Sequence, residues 1–233
     1  MNTIFLSNHF AVPALAFAAL LTVGCSEKNA PQTGRMTNGV PLALDDELQN
    51  RNDGKWYWRG TTNLFSGIEL LHHTNGVIKL QLPFTNGLPH GHRIMWHPNG
   101  QKESEGGYVD GQRSGLWETW FANGEPDKKG TFVNGKATGL QTFWHTNGVK
   151  SIEWFYKDGY PHGEMTRYHE NGNKQQHGFY QTNRQHGKWI AWDENGGEIR
   201  KAEFDKGKLI SEKMIGEPTK INEAKPTPQG SGG

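Results

Sequence analysis

The chain has 233 residues, 25 basic and 24 acidic side chains, a net charge of +1 and a mean hydropathy of −0.81, with 33% hydrophobic residues. That balance excludes the basic stripe of a nucleic-acid binder, and the thin aliphatic content excludes a thick globular core. Trp, Tyr and Phe (9, 6 and 11 residues) must carry most of the buried area, while 31 glycines point to many turns.

The segment from Phe10 to Val23 is apolar or small. It is too short to span a bilayer as a helix but is matched to the core of a signal peptide. Leu21-Thr22-Val23-Gly24-Cys25, followed by Ser26, resembles a bacterial lipobox. The resemblance implies a signal peptide over residues 1–24 and a palmitate-bearing lipid anchor on Cys25. With Ser26 in place of aspartate, it implies a lipoprotein of the cell envelope with the outer membrane favoured. Cys25 is the only cysteine, so no disulfide forms within the chain. Residues 25–50 are polar, with Pro31, Gly34, Asn38 and Gly39, and read as a flexible tether in which Asp45, Asp46 and Glu47 are solvated. Residues 51–66, with Trp56, Tyr57, Trp58 and Gly60, read as a degenerate capping half-repeat.

From residue 67 to 215 four registers keep a period of 24 residues over six units. Asn-Gly recurs from Asn75-Gly76 to Asn195-Gly196, and a connector glycine from Gly67 to Gly187. One aromatic column is Phe84, Tyr108, Phe132, Tyr156, Tyr180 and Phe204; a second is Trp96, Trp120, Trp144, Tyr168 and Trp192. Registers that hold this long mark a tandem array, a class that builds surfaces more often than clefts.

Residues 91–114 serve as the type unit. Arg93 to His97 alternate, Pro98-Asn99-Gly100 turns, a second run covers Lys102 to Val109, and Asp110-Gly111 turns again. Each unit is therefore a β-hairpin with a connector, and the chain is all-β. A two-residue loop at Asn99-Gly100 pairs Trp96 with Glu103 and sends Tyr108 to the opposite face. A three-residue loop with Gly100 left-handed pairs Trp96 with Ser104 and puts both rings on one face. The second is expected, because one buried aromatic seam costs less than two exposed ones. Small residues at Gly106, Gly130, Gly178 and Ala202 leave room beside the rings. Residues 216–233, with Pro218, Pro226 and Pro228, read as a disordered tail.

Units such as Gly139-Leu140-Gln141-Thr142-Phe143-Trp144-His145-Thr146-Asn147-Gly148, followed by Tyr156-Lys157-Asp158-Gly159, resemble the MORN-repeat variant. The same variant occurs in proteins grouped under a YwqK-type antitoxin name. The resemblance covers about residues 67 to 210 and implies an elongated, twisted, single-layer antiparallel meander. Thr182-Asn183 and Lys206-Gly207 depart from the second-turn pattern.

Chemistry is sparse. There is no nucleophile elbow, phosphate loop or free catalytic cysteine. Equivalent histidines in successive units stand ~9.6 Å apart, too far to share a metal ion. No enzyme activity, cofactor, metal, nucleic acid or small-molecule substrate is expected. Trp117, Phe121, Phe143 and Trp189 lie outside the aromatic columns. By strand parity Trp117 and Phe121 face away from Trp120, and the four rings are expected to form an exposed binding patch. The leading function is a membrane-anchored scaffold presenting a protein-interaction surface in the envelope. A glycan- or peptidoglycan-binding module and a toxin-neutralising antitoxin or immunity protein are the alternatives.

Overall fold

The computed structural model describes residues 36–44 and 46–215, all of which lie within one compact unit. The expected signal peptide, the anchor at Cys25 and the tail 216–233 lie outside the described residues. The array begins where β5 (Gly67–His72) pairs antiparallel with β6 (Ile78–Thr85). A short β7 (Leu88–Pro89) closes against β6, and β8 (Gly91–Trp96) then pairs with both β6 and β9 (Lys102–Val109). The meander continues through β10 (Gln112–Trp120), β11 (Pro126–Val133), β12 (Lys136–Trp144), β13 (Lys150–Lys157) and β14 (Tyr160–Tyr168). It ends with β15 (Lys174–Gln181), β16 (Arg184–Trp192), β17 (Glu198–Asp205) and β18 (Lys208–Met214). The result is one long open sheet in which each strand pairs with its sequence neighbour.

Part of the stretch expected to be a tether is built into the sheet. Residues 36–50 hold β1 (Met36–Thr37), β2 (Val40–Ala43) and β3 (Leu48–Asn50), and β2 adds to β5 as a parallel strand. β3 pairs with β4 (Trp56–Trp58) in a separate two-stranded sheet. Behind them Phe65, fully buried, meets Trp58 and Phe84 edge-on or tilted at 5.0 and 5.5 Å. With Ala43 and Leu48 these rings form the largest buried cluster, so the first unit is closed by a real core. The last strand, β18, is exposed along its whole length.

Two kinds of turn set the period. At the first, Gly100 alone is left-handed (φ 83°), its amide donates to the His97 carbonyl at 2.9 Å, and Pro98-Asn99-Gly100 forms the loop. At the second, Asp110 and Gly111 are both left-handed (φ 47° and 80°), the type I′ geometry that suits a two-residue hairpin. The loop at the first turn therefore starts one residue earlier than expected. A β-bulge follows it in every unit, as at Met95/Trp96, where Trp96 pairs with Lys102 but Met95 with Ser104.

That extra residue overturns the expected seam. Each one-residue shift exchanges faces, so Trp96, Trp120, Trp144, Tyr168 and Trp192 lie opposite Tyr108, Phe132, Tyr156, Tyr180 and Phe204. Glu118, two residues before Trp120, belongs to the face of Glu105 and Lys129; Trp117 belongs to the face of Gly106 and Gly130. The Trp column is half-buried on a charged face, where Lys102 lies 5.3 Å from the Trp120 ring.

The Thr182-Asn183 departure keeps the type I′ fold at a cost, since Thr182 and Asn183 hold φ of 49° and 62°. A left-handed β-branched residue is strained by ~1–2 kcal/mol. The pair Thr182→Asn with Asn183→Gly should therefore stabilise the protein by about 1 kcal/mol, read as a higher urea midpoint at unchanged m. A lower midpoint would show that this turn is shaped by something other than its own backbone.

Candidate functional site

One face carries a packed row that crosses the sheet through Arg93, Gly106, Trp117, Gly130, Gln141, Trp154, Met165, Gly178, Trp189 and Ala202. Large side chains lie over small neighbours. A Cβ on Gly106 would strike the Trp117 indole, and one on Gly178 the Trp189 indole. Trp117 is then bracketed edge-on by Tyr108 at 5.1 Å and Phe132 at 6.4 Å, as Trp189 is by Tyr180 at 5.2 Å and Phe204 at 6.2 Å. The Trp117 indole N–H donates to the Gly107 carbonyl at 3.1 Å.

This corrects the expected exposed patch. Trp117 and Trp189 retain 5% and 2% of their surface and are the seam itself, because they share the face of the Tyr/Phe column. Phe121 and Phe143 are half-buried. The structure brings Trp117, Phe121 and Phe143 to one groove of about 540 Å³ between β8 and β12, and leaves Trp189 apart beside Ala202 and Glu212. Sequence reasoning missed Arg93 and Arg113, which also line the groove. The available signal was register: Arg93 occupies the place held by Trp117, Gln141, Met165 and Trp189 in later units.

The turns explain why Phe121 stands out. At four of the six first turns a histidine holds the next unit, its Nε2–H donating to the backbone carbonyl 23 residues on: His73 to Trp96 (2.7 Å), His97 to Trp120 (2.9 Å), His145 to Tyr168 (3.1 Å) and His169 to Trp192 (3.0 Å). The Asn of the same turn donates from Nδ2 to the following turn, as Asn99 does to Ala122 at 2.7 Å and Asn123 to Thr146 at 3.0 Å. Asp193 stands at the sixth of these turns and caps its own loop. Phe121 is thus the one interior position where the unit gives up this bond, and its ring goes to the groove.

The opposite face is differently built. Glu118 pairs with Lys129 at 2.9 Å and Glu153 with Lys150 at 2.5 Å. Hydrogen bonds from Lys150 and then Tyr168 hold the Glu153 carboxyl below its usual range. Burial, and then donation to Glu153, push Tyr168 up to about 12. Leu116, Leu140, Phe155 and Phe179 are exposed among these charges. Four of the histidines serve as inter-unit ties, and among the described residues no three His, Cys, Asp or Glu side chains gather as metal ligands.

If Phe121 is a groove residue rather than a structural one, its replacement should be cheap. His145→Phe removes a tie and should cost about 1 kcal/mol, whereas Phe121→His can regain one to the Trp144 carbonyl and should cost nothing. Chemical denaturation of both variants checks this; an equal loss at Phe121 would make its ring part of the packing.

Comparison with family models finds the MORN repeat variant at residues 89–110, 113–134, 137–158 and 161–182. The hairpins on either side of these, β5–β6 and β16–β17, have the same bulge and the same left-handed glycine at the first turn. No curated protein matches the chain. The chain thus carries four tandem units similar to the MORN repeat variant within a longer open meander of the same geometry.

Proposed function

We propose that this chain is a non-catalytic binding scaffold, held at a membrane of the bacterial cell envelope by a lipid on Cys25, and that the groove at Trp117, Phe121 and Phe143 receives a partner protein. The observation that carries this reading is Phe121. A histidine that ties unit to unit at four of the six turns is replaced in mid-array by a ring that lines a hollow of the sheet. Half-buried rings beside a well-packed indole are the kind of anchors on which interfaces concentrate their binding energy. Neutralising a toxin is one form such binding takes, and the antitoxin name attached to similar repeats is compatible with it.

A glycan ligand is less well supported. Sugar recognition needs polar groups free to meet hydroxyls, and the groove's Asp127, Thr119 and Gln141 are engaged with the protein itself.

The test places a photo-crosslinking amino acid at Phe121, Phe143 or Leu140 in cells. Protein adducts from the first two positions and not from Leu140, on the opposite face, are expected. Adducts from Leu140 alone would move the interface to the charged face and end this reading. In the same cells Cys25→Ser should abolish labelling by a fatty-acid analogue and leave an uncleaved or freely released form; labelling that persists in the variant would rule out a lipid on Cys25.

A further inference from the structure

The groove's charged groups fall into two sets. One set is satisfied internally. Thr119 Oγ1 donates to Asp127 at 3.0 Å, Lys128 stands 3.6 Å from the same carboxylate, and Gln141 Nε2 donates to the carbonyls of Thr131 and Thr138 at 3.1 and 3.0 Å. The other set is Arg93 and Arg113, whose guanidinium carbons lie 5.7 and 4.5 Å from the centre of the same Trp117 ring. Arg93 donates to Ser104 Oγ at 3.1 Å and touches the Met95 sulfur. Among the described residues neither guanidinium has a carboxylate oxygen within 4.0 Å. Burial, with the like charge of Arg113 adding to it, pulls the Arg93 pKa down, and the phenol of Tyr108 and the carboxylate of Glu103 pull it back only in part.

Two cations thus lie against one indole, one of them half-buried and, among the described residues, neither paired with a carboxylate. Guanidinium forks match carboxylates and phosphates. Glu103 and Asp127 line the same groove, so a doubly charged phosphate would be repelled about twice as strongly as a singly charged carboxylate. Phe121 and Phe143 supply an apolar wall beside the pair. We propose that Arg93 and Arg113 take a carboxylate of an extended peptide whose adjacent apolar side chain packs on Phe121 and Phe143. This rests on the groove being a protein-interaction surface and adds what the partner must carry there. A chain terminus and an acidic side chain present the same group, and the test separates them.

The full chain is titrated, by fluorescence anisotropy, with three labelled probes. One is Gly-Ser-Gly-Ser-Leu-Phe with a free C-terminal carboxylate, the second its C-terminal amide, and the third an amide with an internal Glu-Phe pair. At least one carboxylate probe should bind about tenfold or more tighter than the plain amide, the difference expected of one charge-assisted pair. The free-terminus and internal-Glu probes then identify the source. Arg113→Gln, at an exposed position, should remove that advantage, leave the plain amide unaffected and keep a cooperative unfolding transition. Equal binding of acid and amide, no binding of any probe at about millimolar concentration, or an unaffected Arg113→Gln would each overturn the assignment. Photo-adducts from Phe121 that survive Arg113→Gln would leave the interface standing and remove only the carboxylate; absence of adducts altogether would remove the interface.

Discussion

A sheet of one layer has no second layer to bury its side chains, so large residues must lie flat over small ones on the neighbouring strand. Trp117 over Gly106 and Trp189 over Gly178 meet that constraint, and the Tyr/Phe column closes on each indole edge-on. Rings of this size bury 150–250 Å² in typical cores, worth about 4–6 kcal/mol at 25 cal/mol per Å². A turn-to-turn hydrogen bond contributes about 1 kcal/mol net. The rings therefore supply the adhesion, and the hydrogen bonds fix the register in which they meet.

That division leaves the array room to vary. The ties at the turns depend on residue types that recur every 24 positions, whereas the packed row accepts Arg, Trp, Gln, Met and Trp at one register, provided that the neighbour fits. Gln141 succeeds in an otherwise apolar place because its amide reaches two backbone carbonyls. Arg93 reaches only a hydroxyl and a thioether, and nearby Phe121 gives up a tie. Arg93 and Phe121, two departures of this kind, line the same groove.

The period and the places of the turns were legible in the residues, because Asn-Gly and Asp-Gly impose backbone angles that few other dipeptides accept, whereas the connector expected from Asp110 to Gly115 is a two-residue hairpin followed directly by strand. The faces were not. They depend on a single bulge residue, Glu103 in the type unit, which carries no signature of its own and reverses every side chain beyond it. Trp117 was therefore read as a spare ring when it is the packed one, and the glycines that make room for it were assigned to Trp96 and its equivalents. The strands between Met36 and Asn50 were also hidden: a polar stretch with Pro and Gly looks like a tether until Ala43 and Leu48 find Phe65.

Adhesion between strands lies on the Trp117 face and not along the more regular Trp column. Trp117 and Trp120 belong to one strand, three residues apart, and differ chiefly in the face they occupy. Equilibrium unfolding in urea of Trp117→Ala and Trp120→Ala measures this directly. Loss of the packed ring should cost about 3–5 kcal/mol, and loss of the half-buried ring beside Lys102 only about 1 kcal/mol. Equal losses, or a larger one at Trp120, would contradict the account.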